Sequence, residues 1–251
     1  SFNEKIQWLK INDCTPLKTV LVDKYLVRDW VKEKIGEQYL IPLLGVWDKF
    51  DDIDFNVLPN KFVLKCNHGS HWNVIVQDKE LFSKTKAKAQ IDSWMNQNFA
   101  CLMGFEMQYE KVPPKIIAEE YIENFDGEIF DYKFFCFNGK VKYIQFLSDR
   151  SHGLKMAYFD TEWNKQDFVN NHKRIEEKIE KPDNLSLMIH LAERLADGFS
   201  FVRVDFYRLN DGTILFGEMT FSPASGTQDW KPSKMNKILG DLLKLPNCQE
   251  E

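Results

Sequence analysis

No apolar run in the 251 residues approaches the ~18 needed to cross a bilayer, so no transmembrane segment is expected. A basic excess is missing too. The 33 Lys and Arg stand against 38 Asp and Glu, a net charge of -5, whereas duplex-binding proteins carry clustered positive charge. Nucleic acid is therefore not an expected partner. Cysteine is sparse: Cys14, Cys66, Cys101, Cys136 and Cys248 are odd in number and scattered, which reads as reduced thiols of a cytoplasmic protein. The chain contains no Walker A loop, no dinucleotide fingerprint and no G-x-S-x-G elbow, which removes the commonest nucleotide and serine-nucleophile signatures. Cys66, His68 and His71 want a fourth ligand at zinc spacing and have none. The chain opens at Ser1 without Met, which reads as a trimmed start. The first ten residues, SFNEKIQWLK, are charged and amphipathic where a secretory segment would be apolar.

What is present is the composition of a globular protein, 43% apolar and 28% charged, with enough aromatic residues to fill a large core. The first third reads as mainly helical. Asp23 is placed to cap a helix whose Val27, Trp30, Val31 and Ile35 share one face, with Gly36 at its C-terminal end. Residues 62–66 and 74–76 read as strands around the loop Asn67-His68-Gly69-Ser70-His71-Trp72. Residues 84–98 read as a helix with Ala87, Ile91, Trp94 and Met95 buried, and lysines 84–88 as its solvated surface. From Ile116 the pattern turns to strands, with a hairpin at Asn138-Gly139. Residues 152–182 read as a polar, loop-rich insertion; Arg150 just before it and His152 and Lys155 within it are candidate anion contacts or plain loop residues. Leu185, Met188, Ile189, Ala192 and Leu195 mark a helix closed by Gly198. Runs of strands with segregated helices give an α+β class.

The hairpin from Phe201 to Phe221 is the most informative stretch. With Asp211-Gly212 as a two-residue turn, Asp205 faces Glu218 and Arg203 faces Thr220. All four share one face, opposite Val202, Val204, Phe206, Leu215, Gly217 and Met219. Two carboxylates about 4 Å apart repel by roughly 4 kcal/mol at an effective dielectric of 20. Protonation of one acid or a cation between them relieves this. A hard divalent ion held by two carboxylates and by substrate phosphates is the Mg²⁺ arrangement. The alternative is an exposed face whose acids are solvated and balanced by Arg203 and Arg208.

These residues, FVRVDFY followed by FGEMTFSPASG, resemble the C-terminal core of ATP-grasp ligases, in the style of the D-alanine–D-alanine ligase branch. The blocks FNEKIQWLK, DKYLVRDWV, FVLKCNHGSHW, IIAEEYI and DYKFFCFNGK extend the resemblance over residues 2–226, to the TupA-like ATP-grasp proteins of teichuronopeptide and capsular polysaccharide biosynthesis. The resemblance implies two lobes with antiparallel sheets sandwiching a nucleotide cleft. It divides the chain into a helical region at 1–60, a small lobe at 61–118 and a large lobe at 119–251.

The resemblance also implies ATP and Mg²⁺, and carries roles onto particular positions. Asp205, Glu218 and Thr220 would be metal ligands, Thr220 standing where many relatives have Asn. Arg203 would neutralise charge on the transferred phosphate, and Lys65 and Lys133 would contact phosphates. Tyr121 and Ile122 would recognise the adenine edge through their backbone, Glu119 or Glu120 its amino group, and Asp131 the ribose. His68, Gly69 and Ser70 would form the flap over the phosphates. For Lys65 the residues alone leave open an edge lysine facing water. Asp23-Lys24 with Arg28 resembles the helix start found early in ATP-grasp proteins, which leaves either cation facing phosphate or an acidic substrate, or both on a solvated helix surface. The implied reaction is carboxylate–amine ligation through an acylphosphate, joining an amino acid to a uronic acid in surface polysaccharide synthesis. The protein would be cytoplasmic and associate peripherally with the assembly machinery. The rivals are a kinase acting on a sugar hydroxyl and a non-catalytic nucleotide-binding module.

Overall fold

The computed structural model describes residues 1–102, 104–123, 130–148, 154–170 and 172–246. Arg150, His152 and Cys248, named above, lie outside them. The helices are α1 (Phe2–Asn12), α2 (Pro16–Val22), α3 (Val27–Lys34), α4 (Lys84–Met95), α5 (Phe99–Leu102), α6 (Leu185–Ala196) and α7 (Lys234–Leu242). The strands are β1 (Leu43–Trp47), β2 (Phe62–Cys66), β3 (Asn73–Val76), β4 (Ile116–Glu120) and β5 (Phe130–Phe137). They continue with β6 (Lys140–Ser148), β7 (Lys155–Phe159), β8 (Lys173–Arg174), β9 (Phe201–Arg208) and β10 (Ile214–Thr220). No helix among the described residues is long and apolar enough to cross a membrane.

The chain divides into two compact units, one of Cys14–Trp30 with Leu40–Ile122, the other of Ser1–Asp13, Val31–Tyr39 and Glu123–Glu251. The N-terminal helical stretch is thus shared between them. In the smaller unit β1, β4, β2 and β3 form an antiparallel sheet in that order. Alternation along β2 buries Phe62, Leu64 and Cys66 in a core with Ile91 and Ala87 of α4, and sends Val63 and Lys65 to the other face. Burial pushes the Cys66 thiol up to about 12, so it is a protonated core residue. The start of α3 is capped as its sequence suggests. Asp23 Oδ1 accepts from the backbone N–H groups of Tyr25 (2.8 Å) and Leu26 (3.2 Å).

In the larger unit the strand order is β10-β9-β5-β6-β7-β8, antiparallel except for β7 with β8. The turn between β5 and β6 has positive φ at both Asn138 and Gly139, the conformation that this dipeptide favours. Phe135, Phe137 and Phe201 point to one face and pack with Phe2 and Ile6 of α1, Trp230, and Met235 and Leu239 of α7. Phe134, Cys136, Val202, Val204 and Phe206 alternate with them and are also buried. With both faces covered, continuous aromatic runs are what these strands require. The stretch expected to be a loop-rich insertion holds strands instead. It contains β7, whose Met156 and Tyr158 join the α1–α7 core.

Candidate active site

The β9–β10 ladder sets the geometry. Asp205 is the partner of Glu218 and Arg203 of Thr220, as the sequence predicts, but the route differs. The connection is one residue longer than the expected two-residue turn. Leu209 N–H donates to Thr213 O (2.9 Å) and Gly212 N–H to Leu209 O (3.0 Å), leaving Asn210–Gly212 as the loop. The register therefore starts one residue off, with Leu215 opposite Tyr207 and Phe216 opposite Phe206. A bulge between Phe216 and Glu218 restores it. Leu215 is thereby turned to the face of Asp205, and Phe216 takes the opposite face, where Leu215 was expected. Gly217 is the extra residue. A Cβ there would stand 3.1 Å from Asp205 O and 3.3 Å from the Tyr207 ring, a tight approach that a side chain could enter only if its neighbours gave way by a few tenths of an ångström.

A cation does stand between the two acids, and it is Arg203. Its Nε donates to Asp205 Oδ1 (2.7 Å). Its Nη2 donates to Asp205 Oδ2 (2.7 Å), Glu218 Oε1 (2.8 Å) and Thr220 Oγ1 (3.0 Å). Lys133 on β5, cross-strand from Asp205, closes a second ion pair with Asp205 Oδ2. Arg208 is elsewhere engaged, with Asp183 (2.7 Å) and Asn184 (2.9 Å), so the balanced surface face is not what forms. Burial works against the Arg203 charge. The Asp205 and Glu218 carboxylates more than offset it and hold its pKa above the ordinary value. The two acids are unequal: the Asp205 side chain is 5% exposed and Glu218 34%.

The donor set suits a hard divalent ion. Two carboxylate oxygens approach one guanidinium nitrogen within 2.8 Å, so they converge on a place where positive charge is already stabilised. The Thr220 hydroxyl donates to Glu218 Oε1 (3.1 Å), which orients that carboxylate.

The polar row extends inward. Glu218, Asp205, Lys133, Gln145 and Tyr158 are successive cross-strand partners over β10, β9, β5, β6 and β7. Tyr158 Oη accepts from Gln145 Nε2 (2.8 Å) and Asn170 Nδ2 (3.0 Å). Burial raises the Tyr158 pKa well above its usual range, so the phenol is neutral. Gln145, Tyr158 and Asn170 were not picked out from the sequence. A glutamine inside the apolar strand Tyr143-Ile144-Gln145-Phe146-Leu147 was the available signal. Asp131 is buried two residues from Lys133 on β5, on the same face of the sheet.

In the smaller unit Lys65 is not an edge lysine, because β2 lies between β4 and β3. Its Nζ donates to Glu119 Oε2 (2.5 Å), and Arg28 Nη1 donates to Glu119 Oε1 (3.0 Å). Arg28 Nη2 also donates to Ile41 O (2.9 Å). Glu119, one of the two acids expected at the adenine amino group, thus has both oxygens on cations, whereas the other, Glu120, is exposed. Tyr121 Oη accepts from Gln77 Nε2 (2.9 Å), and Ile122 follows β4.

The flap loop is anchored. His68 is 3% exposed, with Nε2 on Trp94 O (3.2 Å) and its ring edge-on to Trp72. Burial lowers the His68 pKa, against a smaller opposing effect of the Trp94 carbonyl, and favours the neutral ring. His68 therefore ties the loop to α4 instead of facing a ligand from its tip. Gly69 is required by Trp72, whose ring would meet a Cβ at 2.4 Å, and its carbonyl accepts from Lys24 Nζ. Ser70 Oγ pairs with His71 Nδ1 (3.0 Å) on the outer side. Lys24 and Arg28 thus contact the loop and the sheet of their unit, not a solvated helix surface.

A family described as TupA-like ATPgrasp matches residues 4–244. No curated protein matches the chain. Among solved structures, an L-amino acid ligase from Bacillus licheniformis superposes with a TM-score of 0.55 at 14% identity, over 94% of this chain and 54% of that one. An ADP complex of N5-carboxyaminoimidazole ribonucleotide synthetase gives a TM-score of 0.46 at 12% identity, over 80% and 45%. The ATP-grasp ligase PsnB with its precursor peptide and AMPPNP gives 0.47 at 11%, over 92% and 61%. The chain spans roughly half the length of the solved proteins it matches.

Proposed function

Because the chain belongs to the TupA-like ATP-grasp family, we propose that it is an ATP-dependent carboxylate–amine ligase acting in the cytoplasm. The observation that carries the reading is the convergence of Asp205 and Glu218 on Arg203, with Lys133 closing the other side of Asp205.

In this reading Lys65 and Lys133 bind the triphosphate and Arg203 holds the transferred phosphate and the carboxylate that attacks it. The Tyr121 and Ile122 backbone and the Glu120 carboxylate take the adenine, and Asp131 the ribose. Gly69 and Ser70 cover the phosphates, and Glu119 and His68 position Lys65 and the loop. Asp205 and Glu218 hold Mg²⁺, with Thr220 orienting Glu218. An ion held there would neutralise the triphosphate and polarise its terminal phosphoryl group. A substrate carboxylate oxygen forms a bond to the γ-phosphorus as the bond to the β-bridging oxygen breaks, releasing ADP. An amine nitrogen then bonds the acyl carbon, the bond from that carbon to the phosphate oxygen breaks and phosphate leaves, and the nitrogen gives up a proton to solvent. The chain's own residues supply orientation and charge, and no protein nucleophile is needed. The substrate pair we propose is a uronic acid of a surface polysaccharide and an amino acid, with peripheral attachment to the assembly machinery.

The test uses substrate carboxylate labelled with heavy oxygen. Label recovered in released phosphate supports the acylphosphate. A stable phosphoester without label transfer points to a kinase, and nucleotide binding without turnover points to a binding module. Either of these results overturns the ligase reading.

A further inference from the structure

Arg28 has no part in the proposed function, yet it is tied to Lys65, the proposed phosphate lysine, through one shared acid. Glu119 is 9% exposed on its side chain and accepts from Lys65 on one oxygen and from Arg28 on the other. A lone Lys65–Glu119 pair would be fixed but neutral, and a neutral pair attracts a triphosphate weakly. An unpaired Lys65 would be attractive but unfixed. One carboxylate between two cations resolves the conflict, because the cluster is ordered and keeps one net positive charge. The second anchor of Arg28, on the Ile41 carbonyl at 2.9 Å, holds the guanidinium in place while it does so.

We infer that Arg28 is a positioning residue for nucleotide phosphate, acting by sharing Glu119 with Lys65. This rests on the reading of Lys65 as a phosphate contact. The chemical class recognised is the di- or triphosphate of a nucleotide, and the effect is on its binding more than on turnover.

The experiment is a double-mutant cycle read by calorimetric titration with ADP in the presence of Mg²⁺, with the melting temperature of each variant recorded. Arg28→Met turns Lys65 and Glu119 into a neutral pair and weakens ADP binding about tenfold. In the Glu119→Gln background the neutralising carboxylate is gone, so the same change costs less than about threefold. Arg28→Gln, which keeps hydrogen bonding but not charge, behaves as Arg28→Met, and Arg28→Lys restores most of the affinity. A purely structural role would give the same loss in both backgrounds, and that result overturns the inference. So does unchanged ADP affinity in Arg28→Met. Failure of the unaltered protein to bind ADP would instead defeat the nucleotide reading itself, and the inference with it.

Discussion

Asp205 and Glu218 face each other because Gly217 is an extra residue in β10. Without that bulge the register set at the loop would place Gly217, not Glu218, opposite Asp205. The site therefore depends on a residue that contributes no functional group.

Replacing Gly217 tests this. The nearest atom to an added Cβ is a backbone oxygen of the partner strand, which cannot swing aside as a side chain can. Gly217→Val is expected to destabilise by about 1–3 kcal/mol. Thermal melting should show a drop of roughly 2–4 °C per kcal/mol, with ADP-forming activity lost as Glu218 is displaced. An unchanged melting temperature would mean that the bulge is tolerant.

The unequal burial of the two acids separates stability from function. Asp205→Asn leaves Arg203 and Lys133 with one acid between them in a buried setting, and costs about 3–5 kcal/mol. Glu218→Gln, at a more open position, costs about 0–1 kcal/mol. Both are expected to lower ADP release by about a hundredfold or more, because in the proposed reading each removes a ligand of the ion that neutralises the reacting phosphates. Chemical denaturation and an ADP-release assay check the two effects independently. Equal stability losses would contradict the assigned burial.

His68 gives the fold a pH dependence. Burial lowers its pKa below the ordinary value of 6.5, so the unfolded chain takes up a proton more readily than the folded one. The stabilisation is fully present above about pH 6.5 and is lost as pH falls through that value toward the lower folded pKa. Melting curves from pH 7.5 to 5 should show a decline that is smaller in His68→Gln. Parallel curves for the two proteins would exclude His68 as the source.

Much of this was legible in the sequence. Alternation on β9 and β10 put Arg203, Asp205, Glu218 and Thr220 on one face, and Asn138-Gly139 marked its turn. The loop Asn210–Gly212 is one residue longer than its Asp-Gly pattern suggests, and the bulge at Gly217 offsets the difference. That compensation depends on the close approach of Gly217 to Asp205 O, which no pattern of residue types displays. The strand β7 was hidden because its five residues sit between polar segments, and its burial is created by α1 and Trp230, distant in sequence. Glu119 and Glu120 show the same limit. Adjacent acids on a strand point to opposite faces, and only the pairing of β4 with β2 decides which one meets Lys65. Arg28 and Lys24 were visible as charges, but their partners are supplied by β4 and by the Gly69 loop.

In the proposed function Asp205 and Glu218 jointly hold a divalent ion against a nucleotide. Electron paramagnetic resonance of Mn²⁺, titrated in the presence of ADP, measures this directly. The account predicts tightly bound, nucleotide-dependent Mn²⁺ that disappears in Glu218→Gln while that variant remains folded. Mn²⁺ binding of equal strength in Glu218→Gln and the unaltered protein would contradict it.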